Sequence, residues 1–244
     1  MSAYSHIPDR FSNLGSIIIV TGHYGVGKTN FSLNLAVDEA RLGHAVTLVD
    51  LDIVNPYFRS SDFAQVLTEA GVKLIAPQMA GTALDTPSLS GHVDAAITQA
   101  INELGRKLIF DVGGDDAGAT ALGRYSSAIG ETDYSMLYVL NAFREQVRQA
   151  EEAAHLLGEI EHQAHLKATA LVNNSHMEDQ TTDEDIAEGR TYSTRVSELL
   201  DLPLICTTLP SETSELVHSV NSDTLVCDSD YFVRVYVKTP WDVD

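Results

Sequence analysis

The sequence predicts an α/β fold of three layers, a mostly parallel sheet of about seven strands covered by helices on both faces. Three observations carry that expectation. Apolar runs alternate with amphipathic stretches along most of the chain, the pattern of parallel strands joined by covering helices. Gly43 and Gly105 stand where two of the amphipathic stretches stop, as helix-terminating glycines do. The 244 residues, 44% of them hydrophobic, supply one buried sheet and are few for two independent cores. A single domain is expected, residues 1–244, with its core over about 16–210.

In chain order, the apolar run Ser16–Thr21 reads as the first strand, and the helix-compatible stretch Asn30–Leu42 follows a glycine-rich turn. Further strands are expected at about Ala45–Asp50, Lys73–Ala76, Lys107–Asp111, Tyr134–Leu140, Ala168–Asn173 and Leu204–Thr207. Helices are expected at Ser90–Leu104 and Arg144–His165, and at Asp183–Leu200 after a solvated acidic loop, His176–Thr182. The tail Tyr231–Lys238, YFVRVYVK, is rich in apolar and aromatic residues and suggests a last strand, whose place in the sheet the sequence leaves open.

The turn between the first strand and first helix is GHYGVGKT, Gly22–Thr29. Strand, glycine-rich turn and helix start, in that order, are the context in which GxxxxGK[ST] becomes a phosphate-binding loop. Backbone N–H groups of Gly25, Val26, Gly27 and Lys28 would point at a β-phosphate, aided by the positive end of the helix. Lys28 would reach the β- and γ-phosphates, and the Thr29 hydroxyl would hold Mg²⁺. Gly22, His23, Tyr24 and Asn30 complete the segment expected to surround the nucleotide.

Acids follow where two more strands end, the edge at which ligands sit in open parallel sheets. The segment VDLDIVNPYFRSSD carries Asp50 and Asp52, spaced to share a face. A carboxylate there would orient an attacking water or hold a Mg²⁺-bound water. In LIFDVGGDDAG, Asp111 has the position of a carboxylate that holds Mg²⁺ through water. Gly113 and Gly114 would let a backbone N–H approach the γ-phosphate and let the segment relax once that group departs. Asp115 and Asp116 read as exposed turn acids.

Charge and cysteine usage narrow the classes. A formal charge of −20 opposes binding to nucleic acid phosphates, and no cluster of Lys and Arg offsets it. Cys206 and Cys227 form no CxxC pair, so no disulfide framework or metal-thiolate site is indicated, and cytoplasmic residence is the expectation. The first 15 residues lack signal-peptide character, no apolar run approaches membrane-spanning length, and the ending VKTPWDVD lacks the basic amphipathic character of a membrane-binding helix. His155, Glu159 and His162 fall at helical spacings that could converge on a metal, but their run reads as a charged outer face.

GHYGVGKT, VDLDIVNPYFRSSD, FDVGGDDAG and ALVNNSH, in this order over about Ile17–Leu209, resemble the MinD/ParA/nitrogenase-iron-protein superfamily, the CobQ/CobB/MinD/ParA group of P-loop ATPases. The resemblance implies a P-loop NTPase fold, ATP and Mg²⁺ as ligands, and hydrolysis used as a switch on an unidentified protein partner, commonly with an ATP-dependent homodimer. It implies Lys28 and Asp52 as catalytic residues, Asp52 orienting the water, and Thr29, Asp52 and Asp111 around the metal. Asn174 would read the adenine edge, and Thr208–Glu212, centred on Pro210, would form the other side of the base pocket. No NKxD-like segment for guanine is present, which favours ATP over GTP.

One departure stands out. Many members carry a second lysine after the first glycine of the loop, reaching the partner's nucleotide; this chain has His23 there, and Tyr24 in place of the next glycine. Histidine is shorter and mostly neutral at pH 7, so it replaces that cation weakly. Arg59 and Arg124 are candidates to supply the missing charge, and Tyr57 and Phe58 could mark a partner surface. An alternative function is an ATP-dependent ligase or amide synthase resembling dethiobiotin or cobyrinate amidating enzymes, for which Gln78–Ser90 is the loop with room for a substrate. Cys206 has no paired His motif of an amidotransferase nucleophile. A DNA-segregating role is opposed by the acidic surface.

Overall fold

The computed structural model describes residues 9–52, 63–76, 86–114, 116–211 and 229–237. Eight parallel strands form one sheet in the order β3-β2-β4-β1-β5-β6-β7-β8. They are β1 (Ile17–Gly22), β2 (Ala45–Asp50), β3 (Lys73–Ile75), β4 (Arg106–Asp111), β5 (Tyr134–Leu140), β6 (Ala170–Asn173), β7 (Leu204–Pro210) and β8 (Asp230–Val233). Seven helices accompany them among the described residues: α1 (Lys28–Arg41), α2 (Ala64–Glu69), α3 (Thr86–Asn102), α4 (Asp116–Gly123), α5 (Ser126–Gly130), α6 (Ala150–Ala164) and α7 (Asp183–Leu200).

The central strand shows why the fold forms. Ile17, Ile18, Ile19 and Val20 are all fully buried, so both faces of β1 are covered and its sequence is continuously apolar rather than alternating. It pairs with β4 from Ile17↔Leu108 to Val20↔Asp111 and with β5 from Ile17↔Tyr134 to Gly22↔Val139. That register brings the carboxyl ends of β1, β4 and β5 level and delivers their following loops to one edge.

The tail strand suggested by YFVRVYVK belongs to the main sheet as β8, shortened to Asp230–Val233 and paired with β7 from Thr207↔Asp230 to Pro210↔Val233. Its anchor is Tyr231, whose buried ring packs edge-on against Phe31 of α1 and against Phe11 of an N-terminal 3-10 turn. The Tyr231 hydroxyl donates to Asp38 Oδ2 at 2.9 Å, and burial beside that carboxylate pushes its pKa well above the ordinary phenol value.

Several local expectations change. The stretch expected as one helix from Arg144 divides into a 3-10 turn (Glu145–Val147) and α6, because Gln149 is extended and makes a reciprocal capping box with Glu152. The loop His176–Thr182 is not simply solvated: Thr181 is buried, and its hydroxyl accepts from Met177 N and donates to Glu178 O, bending the segment into a 3-10 turn. Asp116 is exposed as expected but opens α4 rather than a turn. Arg59, Tyr57, Phe58, Gln78, Asp115, Glu212, Cys227 and Lys238 lie outside the described residues, as do the N-terminal and C-terminal ends.

Candidate nucleotide site

The site begins with three glycines. Gly22, Gly25 and Gly27 have φ of 150°, 73° and 90°, values that side-chain-bearing residues rarely adopt. Close approach imposes glycine as well: a Cβ on Gly22 would lie 2.5 Å from Val139 O, and one on Gly27 would lie 2.2 Å from Asn174 Nδ2. Gly27 is the N-cap of α1 and supplies no side-chain cap, so the helix opens with its amide end toward the loop, the arrangement that favours anions.

Lys28 is 6% exposed, and its ammonium donates to His23 O at 2.8 Å. Gly114 closes over it: a Cβ there would sit 2.5 Å from Tyr24 N and 2.8 Å from Lys28 Nζ. A Cβ on Gly118 of α4 would meet Gly113 Cα at 2.7 Å, so the segment after β4 is wedged between the phosphate loop and α4. Glycine at these positions is therefore a packing requirement.

The acids occupy two depths. Asp50 and Asp111 are register partners on β2 and β4 and both are buried. Asp50 Oδ1 accepts from Asp52 N at 2.9 Å, fixing the start of the loop after β2, and Asp111 Oδ1 accepts from Ser32 Oγ of α1 at 3.3 Å. Thr29 and Asp52 line an open cavity of about 320 Å³ together with Gly25, Gly27, Lys28 and Asn30. That volume lies within the range of small-molecule sites. Asp111 sits beneath α1. A threonine hydroxyl and carboxylates are oxygen donors of the kind a hard divalent cation takes, so the donor set fits Mg²⁺.

Asn174 lines the same cavity, with its amide held on both sides. Nδ2 donates to Val26 O at 2.7 Å, while Oδ1 accepts from His176 Nε2 at 3.1 Å and from the Thr208 hydroxyl. The residue therefore ties the phosphate loop to β6 and β7. Pro210 ends β7, paired with Val233, and is not among the lining residues; Val235 and Val237, just after β8, line the cavity instead. Tyr24 is 56% exposed at the mouth. His23 turns away to Gln146 Oε1 at 2.7 Å, and Arg124 is exposed after α4, outside the lining.

Sequence reasoning missed Asn141, Arg144, His176 and Glu178, all lining the cavity. Their signal was position: Asn141 and Arg144 follow β5, and His176 and Glu178 follow β6, at the carboxyl edge of a parallel sheet. Burial, with the Arg144 guanidinium second, pushes the His176 imidazole down from 6.5 to about 4. Elsewhere, His155, Glu159 and His162 share a shallow depression with Asp116. Among the described residues no three His, Cys, Asp or Glu side chains are grouped to hold a metal ion. No helix among them is long and apolar enough to cross a membrane.

Solved structures similar to this one include FtsY proteins and a signal recognition particle protein. Chloroplast FtsY from Physcomitrella patens aligns with a TM-score of 0.54 at 15% identity, over 79% of this chain and 58% of that one. The signal recognition particle 54 kDa protein from Aeropyrum pernix, in complex with GDP, aligns with a TM-score of 0.53 at 16% identity, over 78% and 40%. Cell division protein FtsY from Thermotoga maritima aligns with a TM-score of 0.51 at 18% identity, over 79% and 61%. The chain thus spans less than two thirds of each, and the likeness is one of fold. No curated protein sequence matches. The family model CbiA, described as the CobQ/CobB/MinD/ParA nucleotide binding domain, matches residues 17–190. With that match covering the phosphate loop, both acidic strand ends and Asn174, the chain belongs to the CobQ/CobB/MinD/ParA nucleotide-binding family.

Proposed function

We propose that the protein is a Mg²⁺-dependent ATPase of the MinD/ParA-like class that acts as a nucleotide-controlled switch on a protein partner. The observation that carries this reading is the convergence of Lys28, Thr29 and Asp52 on one cavity at the uncapped amide end of α1. The loop amides and Lys28 bind and orient the phosphates. Thr29, Asp52 and Asp111 would hold Mg²⁺, which supplies charge neutralisation across the phosphates when bound. Asp52, its backbone fixed by Asp50, orients the attacking water.

The switch reading rests on Gly114, packed against Tyr24 and Lys28, and on Gly118, packed on Gly113. A γ-phosphate entering beside Lys28 displaces that segment, and the displacement passes to α4, which packs on α6. A partner that binds one arrangement better is then coupled to nucleotide state. The test compares wild type, Lys28→Ala and Asp52→Ala by calorimetry and phosphate release with ATP and Mg²⁺. Lys28→Ala is expected to lose binding, and Asp52→Ala to bind and not hydrolyse. Wild-type turnover by Asp52→Ala removes Asp52 from catalysis. Accumulation of a phosphorylated small acid in place of free phosphate favours the ligase reading.

A further inference from the structure

Arg144 occupies a position that neither the phosphate-loop motif nor the metal-ligand set accounts for. It stands at the cavity wall, and a Cβ on Gly25 would lie 3.5 Å from its Cζ and Nε. The guanidinium therefore rests over the middle of the phosphate loop. Two acids share the cavity, Asp52 and Glu178, yet among the described residues no carboxylate lies within ion-pair distance of Arg144. In a chain with 35 acidic and 15 basic residues, an exposed arginine beside two acids and paired to neither points to an anion from outside the chain.

The platform beneath it is rigid. Arg144 is extended, with φ −98° and ψ 121°, at the start of the Glu145–Val147 turn. Asn141 Oδ1 accepts from Phe143 N at 2.9 Å, and Val147 N donates to Arg144 O at 3.1 Å. Tyr192 from α7 donates its hydroxyl to Val147 O at 2.5 Å. The turn is also tied to the phosphate loop itself, through His23 Nε2 and Gln146 Oε1 at 2.7 Å. A bond between the loop and a residue two positions beyond Arg144 keeps the guanidinium in register with Gly25. The neighbouring His176 imidazole is neutral, leaving Lys28 and Arg144 as the cations lining the cavity among the described residues.

We propose that Arg144 is a phosphate-binding residue acting within its own chain, contacting the phosphate tail of the bound nucleotide over Gly25, with the His23–Gln146 bond as its positioning device. The inference rests on the nucleotide reading above and adds a second cation to that site. A planar fork of N–H donors over the loop suits phosphate oxygens and makes charge-assisted bonds stronger than neutral ones.

Calorimetric titration of wild type, Arg144→Ala, Arg144→Lys and Gln146→Ala with ATP, ADP and AMP tests this. Arg144→Ala is expected to weaken ATP and ADP binding by about 10- to 100-fold, the range for a lost bond to a charged group, and to change AMP binding by less than about 3-fold, since the phosphate-tail contact is missing there. Lysine restores part of the loss because the charge remains and the fork does not. Gln146→Ala lowers ATP affinity less than Arg144→Ala does and leaves AMP unchanged. Wild-type ATP affinity in Arg144→Ala overturns the proposal. So does an equal loss for ATP and AMP, which would place the guanidinium on the base or sugar. A wild type that binds none of the three nucleotides defeats the nucleotide reading instead, and an unchanged melting temperature in Arg144→Ala excludes loss of fold as the cause.

Discussion

Asn174 donates its side-chain amide to the carbonyl of Val26 at 2.7 Å, so a residue beyond β6 holds the phosphate loop that follows β1. The contact crosses β5, which lies between those strands in the sheet. Asn174→Asp keeps the acceptor used by His176 and Thr208 but sets a carboxylate oxygen against the Val26 carbonyl. Stability is expected to fall by about 1–3 kcal/mol, the cost of a buried group left unpaired, and ATP affinity to fall with it. Urea denaturation and nucleotide titration measure the two; an Asn174→Asp protein with unchanged values in both removes the tie.

Gly27 is the other half of that contact. A methyl group there would lie 2.2 Å from Asn174 Nδ2, on a backbone with φ of 90°. Gly27→Ala is expected to destabilise by more than about 1 kcal/mol from the left-handed backbone alone, before any collision. If the collision contributes, Gly27→Ala combined with Asn174→Ala costs less than the two single changes added together. Strict additivity in that cycle excludes the side chain as the obstacle.

His176 gives stability a pH dependence. Its Nε2 donates to Asn174 Oδ1, whose orientation is set because Nδ2 is committed to Val26 O; its Nδ1 accepts from Glu178 N at 3.3 Å. That pattern requires the neutral ring. With the folded value lowered from 6.5 to about 4, the unfolded chain takes up a proton that the fold refuses between those values. The stabilisation is full above about pH 6.5 and is lost as pH falls toward about 4, reaching on the order of 2 kcal/mol by pH 5. Urea midpoints for wild type and His176→Gln near pH 7 and pH 5 check this. The gap between the two proteins should narrow at the lower pH, and a constant gap contradicts it.

The parts of the fold legible beforehand were those in which local and global demands agree. β2 and β5 fall at Ala45–Asp50 and Tyr134–Leu140 as expected, because mostly apolar runs in a sheet covered on both faces leave little choice of boundary. α7 begins at Asp183, where Thr182 and Asp185 form a reciprocal capping box. The short helices α2, α4 and α5 were not foreseen; none exceeds eight residues, and helices that short owe their stability to packing rather than to a sequence pattern. Around the cavity, the places of Gly25, Gly27, Lys28, Thr29, Asn30 and Asp52 were legible from strand-end position, whereas His23, read with them, turns away to Gln146. Arg144, Val235 and Val237 were not, since their presence depends on how a turn and the tail cross the edge of the sheet.

That crossing of the tail rests on one face of α1. Asn30, Asn34 and Asp38 recur at intervals of four, all buried, and each bonds part of β8 or the described segment after it. Asn34 Oδ1 accepts from Arg234 N at 2.8 Å, and its Nδ2 donates to Arg234 O at 2.9 Å, so one side chain replaces a strand partner for that residue. Asn30 Oδ1 accepts from Tyr236 N at 2.8 Å, and Asp38 takes the Tyr231 hydroxyl. The clamp places Val235 and Val237 in the cavity wall. Asn34→Ala removes both bonds without adding volume or weakening the helix, and leaves the Arg234 backbone groups without their side-chain partner. A loss of about 1–3 kcal/mol is expected, the cost of unpaired polar groups. The accompanying sign is local: amide exchange at Tyr236 and Val237 should accelerate well beyond that at Tyr231, which keeps its bond to Asp38. Equal acceleration along the whole of β8 and the segment after it would show instead that the tail detaches as one unit, with Asn34 holding no separate share of it.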